Sequence, residues 1–146
     1  MNASLTVPHL PHSARWIAFA YGALVFIWLS LEDNAVFSVA LIGLGGAGLV
    51  GVRGFLRQFG GKTLPAAAFG IGLAVTGAGI GVGGAVGAAA LMLLKTGLHS
   101  HLFPDYPAGV MIAMLMRAPA WGSAGALCGI SAACWLLGGL PKAPPS

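Results

Sequence analysis

His99, His101 and Asp105, with Tyr106 alongside, are the residues whose types and spacing come nearest to a chemical site in this 146-residue sequence. In an extended segment alternate side chains point the same way, so a His-x-His pair can converge on one metal ion. A carboxylate four residues on completes a three-ligand set of the kind that zinc and related metals use. A histidine near a membrane surface can also ligate a haem or chlorophyll-type pigment. A plainer reading competes with these. Pro104 and Pro107 make the segment KTGLHSHLFPDYP (95–107) a rigid surface turn, and its histidines are then interfacial polar groups or partner contacts. The sequence favours the plainer reading, because no group that would orient the imidazoles is identifiable. His99, His101 and Asp105 stand as candidate metal or cofactor ligands, and no cofactor is assigned.

Other reactive groups are sparse. Cys128 and Cys134 lie six residues apart, which on a helix sets them far apart around the axis and prevents a bond between them. Both read as small packing residues. Ser30, Ser38, Thr76, Ser123 and Ser131 can each bond a carbonyl of the preceding helical turn. The sequence holds no nucleophile–base pair, paired carboxylates or HExxH motif, so no catalytic residue is assigned and an enzyme is not expected.

The elements that must position these groups follow from composition. Hydrophobic residues make up 58% of the chain and charged residues 7%, with a mean hydropathy of +0.90. A soluble domain carries about 25% charged residues to wet its surface. The chain therefore reads as an all-α membrane protein, a bundle of four transmembrane helices over 14–31, 35–52, 66–94 and 120–140. A short interfacial helix at 108–117 precedes the last span. Trp16, Tyr21 and Trp28 in the first span and Trp121 and Trp135 in the last suit interfacial anchoring. Residues 1–13 read as an irregular tail ahead of an uncleaved first span, 53–65 as a loop whose start can form a short interfacial helix, and 141–146 as a disordered tail. Apart from Arg15 at an edge, no ionisable residue falls inside these spans, which argues against proton pumping or ion-coupled transport.

The net charge of +4 does not indicate nucleic acid. The basic residues Arg15, Arg53, Arg57, Lys62, Lys95, Arg117 and Lys142 sit at the edges of apolar runs, not in a stripe with stacking aromatics. With four spans, five of them share the side that holds both termini and the middle loop. The positive-inside rule makes that side cytoplasmic and sets loops 32–34 and 95–119 opposite.

Glycine is the second signal. Each of the 24 glycines would cost a soluble helix roughly 1 kcal/mol relative to alanine. In lipid the cost of unsatisfied backbone groups enforces helicity, and glycine becomes a means of close helix approach. Small residues recur every four positions: Gly43, Ala47 and Gly51; Gly77 and Gly81; Gly79, Gly83 and Gly87; Gly125, Gly129 and Ala133. They predict tight packing of spans two, three and four. Glycine around most of span three also predicts a contact beyond the chain's own helices, with Gly79, Gly83 and Gly87 as its stripe. The run TGAGIGVGGAVGAAA (76–90) locally resembles the glycine-rich first helix of rotary ATPase ring subunits. That family needs a carboxylate in the middle of its second helix, and no span here contains Asp or Glu, so membership is rejected. Nor is GAGIGVG a dinucleotide-binding turn, since it lies inside a continuous apolar run.

The function these features suit is a non-catalytic integral membrane subunit that packs into or stabilises a larger membrane complex, for example a respiratory or photosynthetic one. Its expected partners are other integral membrane subunits or a second copy of itself, lipid, and a pigment or haem on a neighbouring subunit. The expected location is a bacterial inner or photosynthetic membrane. The alternative is a small homo-oligomeric channel or carrier for a neutral solute. A metal-dependent membrane enzyme is the third reading, and it requires metal bound through His99 and His101.

Overall fold

The computed structural model describes residues 4–31, 35–98 and 104–139. Two short strands, β1 (Ser4–Thr6) and β2 (Thr63–Pro65), accompany five helices: α1 (Ala14–Ser30), α2 (Val36–Phe59), α3 (Ala66–Leu98), α4 (Ala108–Met116) and α5 (Ala118–Gly138). Among the described residues the protein is all-α apart from one strand pair. Three helical stretches are long and apolar enough to cross a membrane: α2, α3, and Ala108–Gly138, which joins α4 to α5. The apolar helix α1 is shorter, at 17 residues.

Prolines mark where helices begin. Pro65 immediately precedes α3, Pro107 is the N-cap of α4, and Pro119 lies in the first turn of α5. The first-turn N–H groups of a helix have no intrahelical acceptor, so a residue lacking one costs nothing there. Glycine ends α2. The Gly60 N–H bonds the Leu56 carbonyl, and Gly61 takes a φ of 76°, a left-handed conformation that glycine adopts without steric cost.

Helix α3 is the centre. Helices α2 and α5 pack on either side of it and scarcely meet each other, while α1 lies against α2 and α4 packs on α3. The helices α2, α3 and α5 thus form an open row with α3 in the middle. Two apolar clusters close its ends. Trp28, Val39, Ile42, Ala88, Met92, Tyr106 and Met114 form one. Val7, Phe55, Phe69 and Ala133 form the other. Between them the contacts of α3 are made largely through glycine. The outer surfaces stay apolar, with Phe19 73% and Trp135 79% exposed, as a hydrocarbon solvent permits and water does not.

Several boundaries differ from the sequence reading. Part of the segment read as a tail is β1, paired antiparallel with β2 in the register Ser4–Pro65, Leu5–Leu64 and Thr6–Thr63. Val7 extends the tie: its N–H bonds the Lys62 carbonyl at 3.0 Å, and its carbonyl accepts from Gly61 N–H at 2.8 Å. Alternation of polar and apolar residues across so few positions is too short to register as a strand before its partner is known. The α2 helix runs through Arg53 to Phe59, so the helical start expected of segment 53–65 is continuous with the second span. Arg53 and Arg57 stand exposed on it while Phe55 turns inward, edge-on to Phe69 with ring centroids 6.2 Å apart. Lys95 does not end α3, which continues to Leu98. Only Arg117 separates α4 from α5, in right-handed helical conformation, so the short helix leads directly into the last one. Loop 32–34, the last residue of the expected fourth span and the tail 141–146 lie outside the described residues.

Candidate functional site

Of the segment 95–107, residues 99–103 lie outside the described residues, His99 and His101 among them, and Asp105 is half-buried. Its neighbour Tyr106 is buried, and the Tyr106 N–H donates to Thr96 Oγ1 at 3.2 Å, which fastens the Pro104–Pro107 turn to the last turn of α3. Among the described residues, no group of three or more His, Cys, Asp or Glu side chains is placed to hold a metal ion. Cys128 and Cys134 are free thiols on the exposed surface of α5.

Four of the span hydroxyls donate within their own helices. Ser30 donates to Phe26 O, Thr76 to Gly72 O, Ser123 to Pro119 O and Ser131 to Leu127 O, at 2.8–3.1 Å. A hydroxyl bonded in this way has its one donor engaged by the backbone and keeps only its acceptor lone pairs.

The glycines carry the packing, each against a definable neighbour. A Cβ built at Gly77 would strike the Gly125 carbonyl, and one at Gly125 would strike the Gly77 carbonyl. The α3 and α5 backbones therefore touch at this point. Gly81 sits against the Trp121 carbonyl and Gly129 against Leu73 O, which extends the same seam in both directions. On the opposite side of α3, a Cβ at Gly43 would lie 2.6 Å from both Ala88 N and Gly84 O, and one at Gly51 would lie 2.6 Å from Ile80 Cγ1. A Cβ at Gly83 would lie 3.3 Å from Ala47 Cβ, a close fit, and one at Gly87 would meet the Gly43 backbone in ordinary contact. Of the stripe expected to reach beyond the chain, Gly83 and Gly87 thus pack inward on α2, and Gly79 alone has open space beside it.

Such contacts replace a driving force that lipid removes. Apolar side chains gain nothing by leaving hydrocarbon for another apolar surface, so association rests on dispersion and on weak Cα–H···O contacts between close backbones. Glycine admits that approach. Three contributors were missed in the sequence. Gly84 meets Leu44, and Gly45 and Gly46 make room for the Tyr21 ring, whose hydroxyl donates to Ile42 O at 2.5 Å and ties α1 to α2. Gly84, Gly45 and Gly46 adjoin the four-residue series without belonging to them, which is why spacing alone did not single them out.

Lys95 is the larger omission. Read as the charge that ends a span, it is a fully buried residue within α3. Its Nζ donates to the Leu31 carbonyl at 2.7 Å and lies 4.4 Å from the centroid of the Trp28 ring. Leu31 caps the C-terminus of α1, where the last carbonyls lack intrahelical donors and the helix dipole is negative. A cation bonded there and set over an indole face is compensated on two sides. The signal was present: Ala85, Ala88, Met92 and Lys95 recur at helical spacing on the buried face of α3.

One open feature remains at the centre. Because α3 separates α2 from α5, an apolar groove of ≈ 510 Å³ runs between them over α3. Leu44, Ile80, Gly81, Trp121, Gly125 and Cys128 are among its lining residues. Comparison with protein-family models, curated proteins and solved structures finds no match to the chain.

Proposed function

We propose that the chain is a non-catalytic integral membrane subunit that packs into a larger membrane complex, with helices of its partners completing what its own helices leave open. The groove over α3 carries this reading. The central helix of a small membrane protein has glycine backbone contacts on two sides, yet the third side is left as an apolar channel between α2 and α5. A single transmembrane helix seated there would close the arrangement by the same small-residue packing. The lining of that groove counts against the alternative of a channel for a neutral solute, because its one hydroxyl, that of Thr76, already donates to Gly72 O.

In this proposal α1, α2, α3 and α5 are four spans, with α4 at the membrane face. At 1.5 Å per residue α1 reaches about 26 Å, close to the roughly 30 Å of hydrocarbon. The longer α3 tilts or projects. The pairing of β1 with β2, and the joint burial of Val7, Phe55, Phe69 and Ala133, put the start of α1, the end of α2, the start of α3 and the end of α5 at one end. Arg15, Arg53, Arg57 and Lys62 belong to that end, whereas Lys95, Asp105 and Arg117 belong to the other. The positive-inside rule then supports both termini in the cytoplasm.

The test is purification in mild detergent from membranes that contain the chain's natural neighbours. The proposal expects other integral membrane polypeptides in fixed stoichiometry. A chain that emerges alone and carries solute across liposomes would replace this reading with the channel.

A further inference from the structure

A second groove lies on the opposite flank, between α1 and α2, and it has a charged mouth. Its volume is ≈ 470 Å³, within the roughly 300–1,000 Å³ of ordinary ligand sites. The walls are Leu10, Ile17, Ala18, Leu49 and Val52, and the one charged lining residue is Arg53. The groove exists because α1 meets α2 mainly in the half around Tyr21 and Trp28. Towards the N-terminus of α1 the two helices are not filled in by side chains: Gly48 lines the groove, and a Cβ built on it would meet nothing within 4 Å.

Two sources of positive potential converge where this groove opens. Arg53 is exposed at the mouth, and Arg57 follows one turn later on the same side of α2. The N-terminus of α1 is there too, since Pro11 and Ala14 also line the groove. Its first turn contains no acidic residue, and Ser13 makes no side-chain cap, so the positive end of the helix dipole is left without an anion. Among the described residues the one carboxylate side chain, Asp105, belongs to the opposite end of the structure, and in sequence Glu32 and Asp33 follow the C-terminus of α1. An apolar slot capped by unneutralised basic groups at one membrane face is complementary to an acyl chain that carries an anionic head.

We infer that the α1/α2 groove binds one anionic phospholipid, with an acyl chain along Ile17, Leu49 and Val52 and the phosphate at Arg53 and the N-terminus of α1. This binding requires the membrane setting but not the partner complex, so it can fail or hold independently of the subunit reading. The lipid stiffens the half of the α1/α2 contact that side chains leave unfilled.

The full chain, delipidated in a neutral detergent, is titrated with phosphatidylglycerol, phosphatidylcholine or sodium phosphate, and binding is read by native mass spectrometry and thermal shift. Phosphatidylglycerol is expected to bind and stabilise at lower concentration than phosphatidylcholine, and phosphate alone to do neither. Arg53→Gln should weaken phosphatidylglycerol about fivefold, the worth of one basic residue at a membrane surface. Gly48→Leu sends a side chain into the groove from a Cβ that meets nothing within 4 Å, and it should abolish the preference while the protein keeps its unliganded melting temperature. Equal binding of the two lipids, or undiminished phosphatidylglycerol binding by Gly48→Leu, overturns the inference. So does stabilisation by phosphate alone, which indicates a simple anion site. A change of oligomeric state in Gly48→Leu also overturns it, because the groove is then a contact between copies.

Discussion

Replacing Gly43 with alanine adds one methyl group where α2 crosses α3, and the surroundings determine its cost. The new Cβ would stand 2.6 Å from Ala88 N and Gly84 O and 3.0 Å from Ala88 Cα, whereas ordinary van der Waals contact begins at 3.4 Å. All three are backbone atoms and cannot rotate aside. The helices must part by several tenths of an ångström along the seam, and each contact they lose forfeits a quarter to a half of its attraction. Overpacking of this kind costs about 1–3 kcal/mol, and rigid neighbours place Gly43→Ala in the upper half of that range. Alanine's better helix propensity, about 1 kcal/mol in water, offsets little here because the bilayer enforces helicity before the helices associate. Gly79→Ala is the matched control, since its Cβ enters open space. Unfolding both variants in mixed micelles of dodecyl maltoside and sodium dodecyl sulfate, followed by tryptophan fluorescence, should show Gly43→Ala less stable than wild type by about 2 kcal/mol and Gly79→Ala unchanged within ~0.5 kcal/mol. Equal stability of the two variants would refute the view that glycine backbone contact holds α2 against α3.

Two further substitutions probe the ends of the structure. Lys95→Met keeps the apolar stem but removes the donor to Leu31 O, leaving that carbonyl unmet; it should cost about 1–3 kcal/mol and shift the Trp28 emission, whereas unchanged stability would mean that the contact holds nothing. Gly61→Ala forces a side chain into the left-handed region at φ 76° and against the His9 ring, for a loss of about 1–2 kcal/mol. Hydrogen exchange at the Val7 amide, which bonds Lys62 O, should then accelerate relative to amides in α3.

What could be read from the sequence divides by the range of the interactions involved. Apolar runs of membrane-crossing length are a property of the chain itself, so helical segments near α1, α2, α3 and α5 were visible, as was a short apolar helix before the last. The four-residue glycine spacing marked surfaces made for close approach. It could not say which neighbour each surface meets, because Gly77 and Gly83 lie on one helix but face α5 and α2 respectively. The strand pair escaped notice because it joins residues 4–6 to 63–65, and neither segment forms a strand alone. Lys95 was misread because a charge after an apolar run ordinarily ends a span. Only the fold brings the α1 carbonyl and the Trp28 ring to it. The grooves are likewise products of packing, since each is lined by residues of more than one helix.

Cys128 provides a direct probe of the groove over α3. In a Cys134→Ala background, a benzophenone attached to Cys128 and illuminated in membranes containing the natural partners should cross-link the chain to one other membrane polypeptide, giving a discrete heavier band. Adducts with lipid alone, at full labelling, would contradict a partner helix in that groove and with it the assignment as a packing subunit.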